Sequence, residues 1–138
     1  MVLADVELEV GHSPRVLLVE KATASTAVSI GVPWSLTRHS PDFPAWLVAR
    51  SAFGEHRQMN GRLMQRLREQ RGLNYGDYAY IEPFTQEGRD AVTAETGRAR
   101  RQGQFTIWLR PVQNENALFA TRAALYELER TVGKEPFS

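Results

Sequence analysis

Residues 60–75 read Asn60-Gly-Arg-Leu-Met-Gln-Arg-Leu-Arg-Glu-Gln-Arg-Gly-Leu-Asn-Tyr75. Leu63, Met64 and Leu67 recur at helical spacing and share one face. Arg62, Arg66 and Glu69 are placed on the opposite, outward face. Asn60 suits the cap before the first turn, and Gly72 is a natural stop. Tyr75 then opens an aromatic-rich alternating run to Ile81, which reads as a strand. A helix, a reversal and a strand thus follow one another here. The bland reading of the segment is an amphipathic arginine-bearing helix with a glycine stop. A functional reading adds that Arg68, near the helix end, and Tyr75, at the strand start, converge where the chain turns back. A guanidinium and a phenol side by side offer several hydrogen-bond donors to one anionic or carbonyl oxygen.

Working outward, Arg15–Val19 and Thr26–Val32 are short and β-branched, and read as strands joined by the small polar link Ala22–Ser25. Ser40-Pro41-Asp42 signals a helix start, with Phe43, Trp46, Leu47 and Phe53 near helical spacing and Gly54 at its end. Downstream, Gln102–Val112 has the clearest alternation in the chain: Phe105, Ile107 and Leu109 point one way, Thr106, Trp108 and Arg110 the other. Residues 85–101 are polar with two glycines and read as a mobile excursion between strands. Asn114 or Asn116 is placed to cap a last helix carrying Leu118, Leu125, Leu128 and Val132, stopped by Gly133. Residues 134–138 form a polar tail. The order β-β-α-α-β-β-α predicts an α+β fold, an antiparallel sheet with helices packed on one face.

Composition bounds the function. The 138 residues suit a single domain, with 17 Lys and Arg against 16 Asp and Glu. Near-neutral charge argues against nucleic acid as the main partner, and the acidic residues Glu87, Asp90 and Glu95 share the excursion with Arg98, Arg100 and Arg101. No apolar run approaches a membrane span, and the N-terminal residues lack the basic and apolar regions of a signal peptide. With no cysteine, thiolate metal sites, disulfides and a cysteine nucleophile are excluded. His12, His39 and His56 have no histidine partner at ligand spacing, so no metal site is expected in this chain, and His56 reads as a solvated loop histidine. Neither a nucleophile elbow nor a glycine-rich phosphate loop occurs.

The stretch Gly61–Tyr75 resembles the L-[R]-x-x-[R]-G-L-x-Y helix-to-strand junction of the pitrilysin/insulinase/mitochondrial-processing-peptidase family of zinc metallopeptidases, in its non-catalytic, zinc-motif-lacking domain. Thr26–Pro33, Asp42–Gly54 and Gln104–Arg110 with the following helix resemble that domain's other elements in the same order. The resemblance spans most of Val16–Gly133. It implies a unit of a larger protein, without a cofactor of its own, whose partner is a zinc-bearing catalytic domain or subunit. It implies that Arg68 and Tyr75 contact a peptide substrate. Arg71 has a weaker claim, since an ion-pair role fits it equally well. A scaffold or protein-binding module of the same fold, with no role in proteolysis, is the alternative. A unit that exposes a face meant for another domain is also open to homo-oligomer formation.

Overall fold

A computed structural model describes residues 13–56, 58–82 and 103–133. The alternation at Phe105, Ile107 and Leu109 builds the central strand, β3 (Gly103–Gln113). It pairs antiparallel on one side with β1 (Ser25–Trp34) and on the other with β2 (Asn74–Tyr80), giving the order β1-β3-β2. Val28, Ile30 and Ala79 stand opposite Leu109, Ile107 and Ile107, so one face of the sheet is apolar across all three strands.

Near the end of the β1–β3 ladder the register slips. Thr26 pairs with Val112 and Val28 with Leu109, so Ala27 stands opposite both Arg110 and Pro111. This bulge shifts the alternation by one residue. Val112 therefore joins Ile107 and Leu109 in the core. The Arg110–Pro111 peptide bond is cis.

The apolar face is covered by α1 (Phe43–Gly54), by a π-helical turn at Met64–Glu69 and by α2 (Ala117–Gly133). Phe53, Leu63, Leu67, Leu73, Ala120 and Ala124 pack there against Ala79, Ile107, Leu109 and Val112. The expected α+β arrangement, with helices on one face of an antiparallel sheet, is what the chain adopts. The small residues Ala120 and Ala124, one turn apart, let α2 approach closely. The buried ion pair of Arg62 with Glu127, 3.0 Å apart with side chains 14% and 4% exposed, ties the π-helical region to α2.

Several expectations are corrected. Arg15–Val19 is not a strand: it is without regular structure, and Val16, Leu17, Leu18 and Val19 are 69–91% exposed. Apolar β-branched composition provides the propensity, but a strand needs a neighbour to pair with, and no described residue pairs here. Arg62 turns inward to Glu127 instead of facing water. Asp42 provides no side-chain cap to α1, and Gln113 provides none to the 3-10 turn at Asn114–Asn116. Asn114 is committed elsewhere, accepting from the Thr26 hydroxyl (2.7 Å) and donating to the Thr23 carbonyl (3.1 Å), which fastens the start of β1 to the end of β3. The excursion at 85–101 and the tail at 134–138 lie outside the described residues.

Candidate functional site

The site forms where the π-helical turn gives way to β2. The Gln70 N–H bonds the carbonyl of Gln65 at 3.1 Å, the five-residue reach that defines a π turn. Closure follows through the Gly72 N–H on Arg68 (2.7 Å) and the Leu73 N–H on Leu67 (3.0 Å). These nested bonds wrap around Gly72, whose φ of +61° lies in the left-handed region that a side chain disfavours. Leu67 and Leu73 are thereby anchored in the core on either side of the reversal, and Arg68 is left at its rim.

On β2, Tyr75, Asp77 and Ala79 alternate onto the helix-covered face. Tyr75 lies past the cover and is 69% exposed, whereas Asp77 and Ala79 are fully buried. The Arg68 guanidinium lies 4.7 Å from the centre of the Tyr75 ring, a cation–π contact. The two residues picked out in the sequence are therefore brought together at one rim. Sulfur atoms of Met59 and Met64 lie 3.6 and 3.8 Å from an Arg68 Nη, and the Glu69 carboxylate is 3.7 Å from its Nε. Arg71 does not join them: it donates to the Arg66 carbonyl at 2.5 Å and braces the helix end.

Behind this pair stands a residue that sequence reasoning missed. Asp77 faces inward opposite Leu109, with no accessible surface. One carboxylate oxygen accepts from the Asn74 amide. Its Oδ2 has no hydrogen-bond partner, and neither has Asn74 Oδ1. Burial pushes the Asp77 carboxyl up to about 6, against the opposing pull of the Asn74 hydrogen bond and the Arg68 charge. The signal lay in the alternation itself, which puts an acid at an inward position of a strand.

The opposite face of the sheet holds an aromatic row that was also missed. His56 is half-buried and is not a freely solvated loop histidine. Its Nδ1 is 2.8 Å from the Tyr80 hydroxyl, and its ring stacks on Tyr78 at 4.4 Å and 14°. Tyr80 lies 4.7 Å from Trp108, and Arg110 sits 4.5 Å above the Trp108 ring. Burial pushes the Tyr80 phenol up to about 12. A β-carbon at Gly76 would fall 2.6 Å from the Tyr78 hydroxyl, so the glycine makes room for that ring. Among the described residues no group of three or more metal-ligating side chains gathers. No described helix is long and apolar enough to cross a membrane.

No family model matches the sequence, and no curated protein matches it. Among solved structures the fold is similar to a crystal structure described as the peptidase M16 inactive domain from Pseudomonas fluorescens, with a TM-score of 0.64 and 21% identity. The match covers 83% of this chain and 24% of that one. The chain thus corresponds to about a quarter of that protein's length, and what the two share is the fold.

Proposed function

We propose that this chain is a non-catalytic unit of a zinc-peptidase protein and that it presents Arg68 and Tyr75 to a peptide held against a catalytic partner unit. The observation that carries this reading is the 4.7 Å contact of Arg68 with an exposed Tyr75. It occurs at the junction whose sequence resembles that peptidase family, in a fold shared with an inactive peptidase domain. The chemistry suits the role. Guanidinium N–H groups and a phenol O–H are donors without competing charge, matched to a peptide carbonyl or to the oxyanion that develops from it. The π turn sets the arginine at the rim, and Asp77 supplies a buried opposite charge behind it. The described histidines do not fit a zinc site, because His56 is committed to Tyr78 and Tyr80. Zinc and the bond-breaking chemistry are assigned to the partner unit.

The test is kinetic and uses the natural full-length protein, assayed with fluorogenic peptides. Arg68→Ala and Tyr75→Phe are each expected to lower kcat/KM by about 100-fold, the scale of losing one oxyanion donor, with folding and zinc content unchanged. Wild-type kcat/KM in both variants overturns the peptide-contact role and favours the scaffold alternative. A full-length protein and native complex lacking any zinc-bearing unit overturns the peptidase reading itself.

A further inference from the structure

The outer side of α2 carries a pattern that the peptide-contact reading does not use. Ala120, Ala124 and Glu127 bury the inner side of this helix. Opposite them runs a stripe of Leu118, Arg122, Leu125, Glu129 and Val132, flanked by Phe119 and Tyr126. The five apolar and aromatic residues of this surface are 44–75% exposed. Leu118, Leu125 and Val132 recur at every seventh position, the spacing of a helix-pairing seam. Arg122 and Glu129 stand exposed between them, and neither forms an ion pair with a described residue. Two turns, about 10 Å, separate them along the helix, so they do not reach each other. We propose that this stripe is an interface with a second copy of the chain, in which the two α2 helices lie antiparallel about a two-fold axis and Arg122 of each faces Glu129 of the other.

Charge selects both the partner and the register. Residues seven apart differ by only about 20° around a helix, so Arg122 and Glu129 share the middle of the stripe. A two-fold axis between Leu125 and Tyr126 lies as far beyond Arg122 as it lies before Glu129. Each of the two then meets the other residue of the second copy, which makes two ion pairs. On one flank of the seam Leu125 meets Leu125 of the second copy, and Leu118 meets its Val132. On the other flank Tyr126 meets Tyr126, and Phe119 comes over Gly133, around whose β-carbon position nothing stands within 4 Å. A parallel in-register pair sets Arg122 against Arg122 and Glu129 against Glu129. An antiparallel pair slipped by one heptad sets arginine against arginine in one direction and glutamate against glutamate in the other. The register with apolar on apolar and plus on minus matches the chain to itself, which makes a second copy the occupant. The contact runs along one helix of 17 residues, about 25 Å long. It is smaller than the interface of a permanent dimer. The dimer is accordingly in exchange with monomer and favoured by low salt.

Sedimentation equilibrium of the chain from about 1 µM to about 1 mM, in about 50 mM salt, tests this. A concentration-dependent monomer–dimer equilibrium is expected. Arg122→Glu and Glu129→Arg each create two like-charge contacts and are expected to weaken it by about tenfold or more. The double variant Arg122→Glu/Glu129→Arg restores both pairs and is expected to recover wild-type affinity within about threefold. All these side chains are exposed, so circular dichroism of each variant should match wild type. The chain has no cysteine, which allows the register to be read by cross-linking. Leu125→Cys faces its own counterpart beside the axis and is expected to give a disulfide-linked dimer on air oxidation. Leu118→Cys lies two turns from the axis and is expected not to. A chain that stays monomeric to about 1 mM overturns the proposal and leaves this face to a partner of different sequence. A dimer that the single charge variants leave unchanged also overturns it. So does a double variant that fails to recover, or a Leu118→Cys variant that cross-links as readily as Leu125→Cys.

Discussion

Asp77→Asn is expected to make the protein more stable at neutral pH and to leave it unchanged in acid. A carboxyl ordinarily ionises near 3.8, and burial holds this one protonated up to about 6. Below 3.8 the group is protonated in both folded and unfolded chains and costs nothing. Between 3.8 and 6 the unfolded chain releases the proton first, so the native state loses stability as the pH rises. Above 6 the loss is complete and levels off. At 1.36 kcal/mol per pH unit, the interval of about 2 corresponds to about 3 kcal/mol. Asparagine removes the charge at nearly constant shape. It also puts an N–H₂ donor where Oδ2 lacks a partner. The assay is urea unfolding from pH 3.5 to 8, followed by the fluorescence of the tryptophans, with the difference between variant and wild type plotted against pH. The expected curve is flat near zero in acid, rises between 4 and 6, and levels off above. A gain independent of pH, or none at pH 7.5, would refute the argument that a buried charge is the source.

Two further outcomes follow from the packing. Glu127→Ala takes the buried carboxylate away from Arg62 in a nearly closed site, and chemical denaturation should show a loss of about 3 kcal/mol, whereas Glu127→Leu with Arg62→Leu should recover most of it. Gly72→Ala forces a side chain into the left-handed region at the reversal; with open space around its β-carbon, the loss should be about 1 kcal/mol from backbone strain alone, read from the unfolding midpoint.

Much of the fold was legible because period and burial agreed. Phe105, Ile107 and Leu109 alternate over enough residues that only a half-buried strand accounts for them, and Leu63 and Leu67 need a helical turn to share the core. Arg15–Val19 misled because its composition is strand-like while its partner is absent from the described residues. The π turn was invisible for a different reason. One extra residue per turn leaves Leu63, Met64 and Leu67 on the same side, so the apolar pattern does not distinguish it from an α-helix. The bulge opposite Ala27 left no mark until the register was known, since Val112 reads as out of phase with Leu109 when alternation is counted through. At the site, Arg68 and Tyr75 were found because a glycine stop fixes where the chain turns. Asp77 was passed over because alternation was used to collect apolar residues and not to ask which polar one shares their face.

The departures from local rules are not scattered. Within Met64–Asp77 the chain spends a π turn, a left-handed glycine, an exposed strand tyrosine and a buried carboxylate with an unpartnered oxygen. Packing gives no reason for the last of these, because a branched apolar residue opposite Leu109 would extend the core without any desolvation cost. What the carboxylate does have is a charge near the Arg68 guanidinium, strong enough that the arginine in turn eases its ionisation. Such an attraction is mutual, so Asp77 draws on Arg68 from behind as Tyr75 holds it from the open side. A surface arginine ordinarily samples many rotamers; here a ring, two methionine sulfurs and a buried counter-charge restrict it. In the proposed peptide-contact role of Arg68, restricting the donor before its acceptor arrives lowers the entropy lost on contact. The stability that Asp77 costs at neutral pH and the preorganisation of Arg68 are therefore two consequences of one charge, and the first is the measurable side of the second.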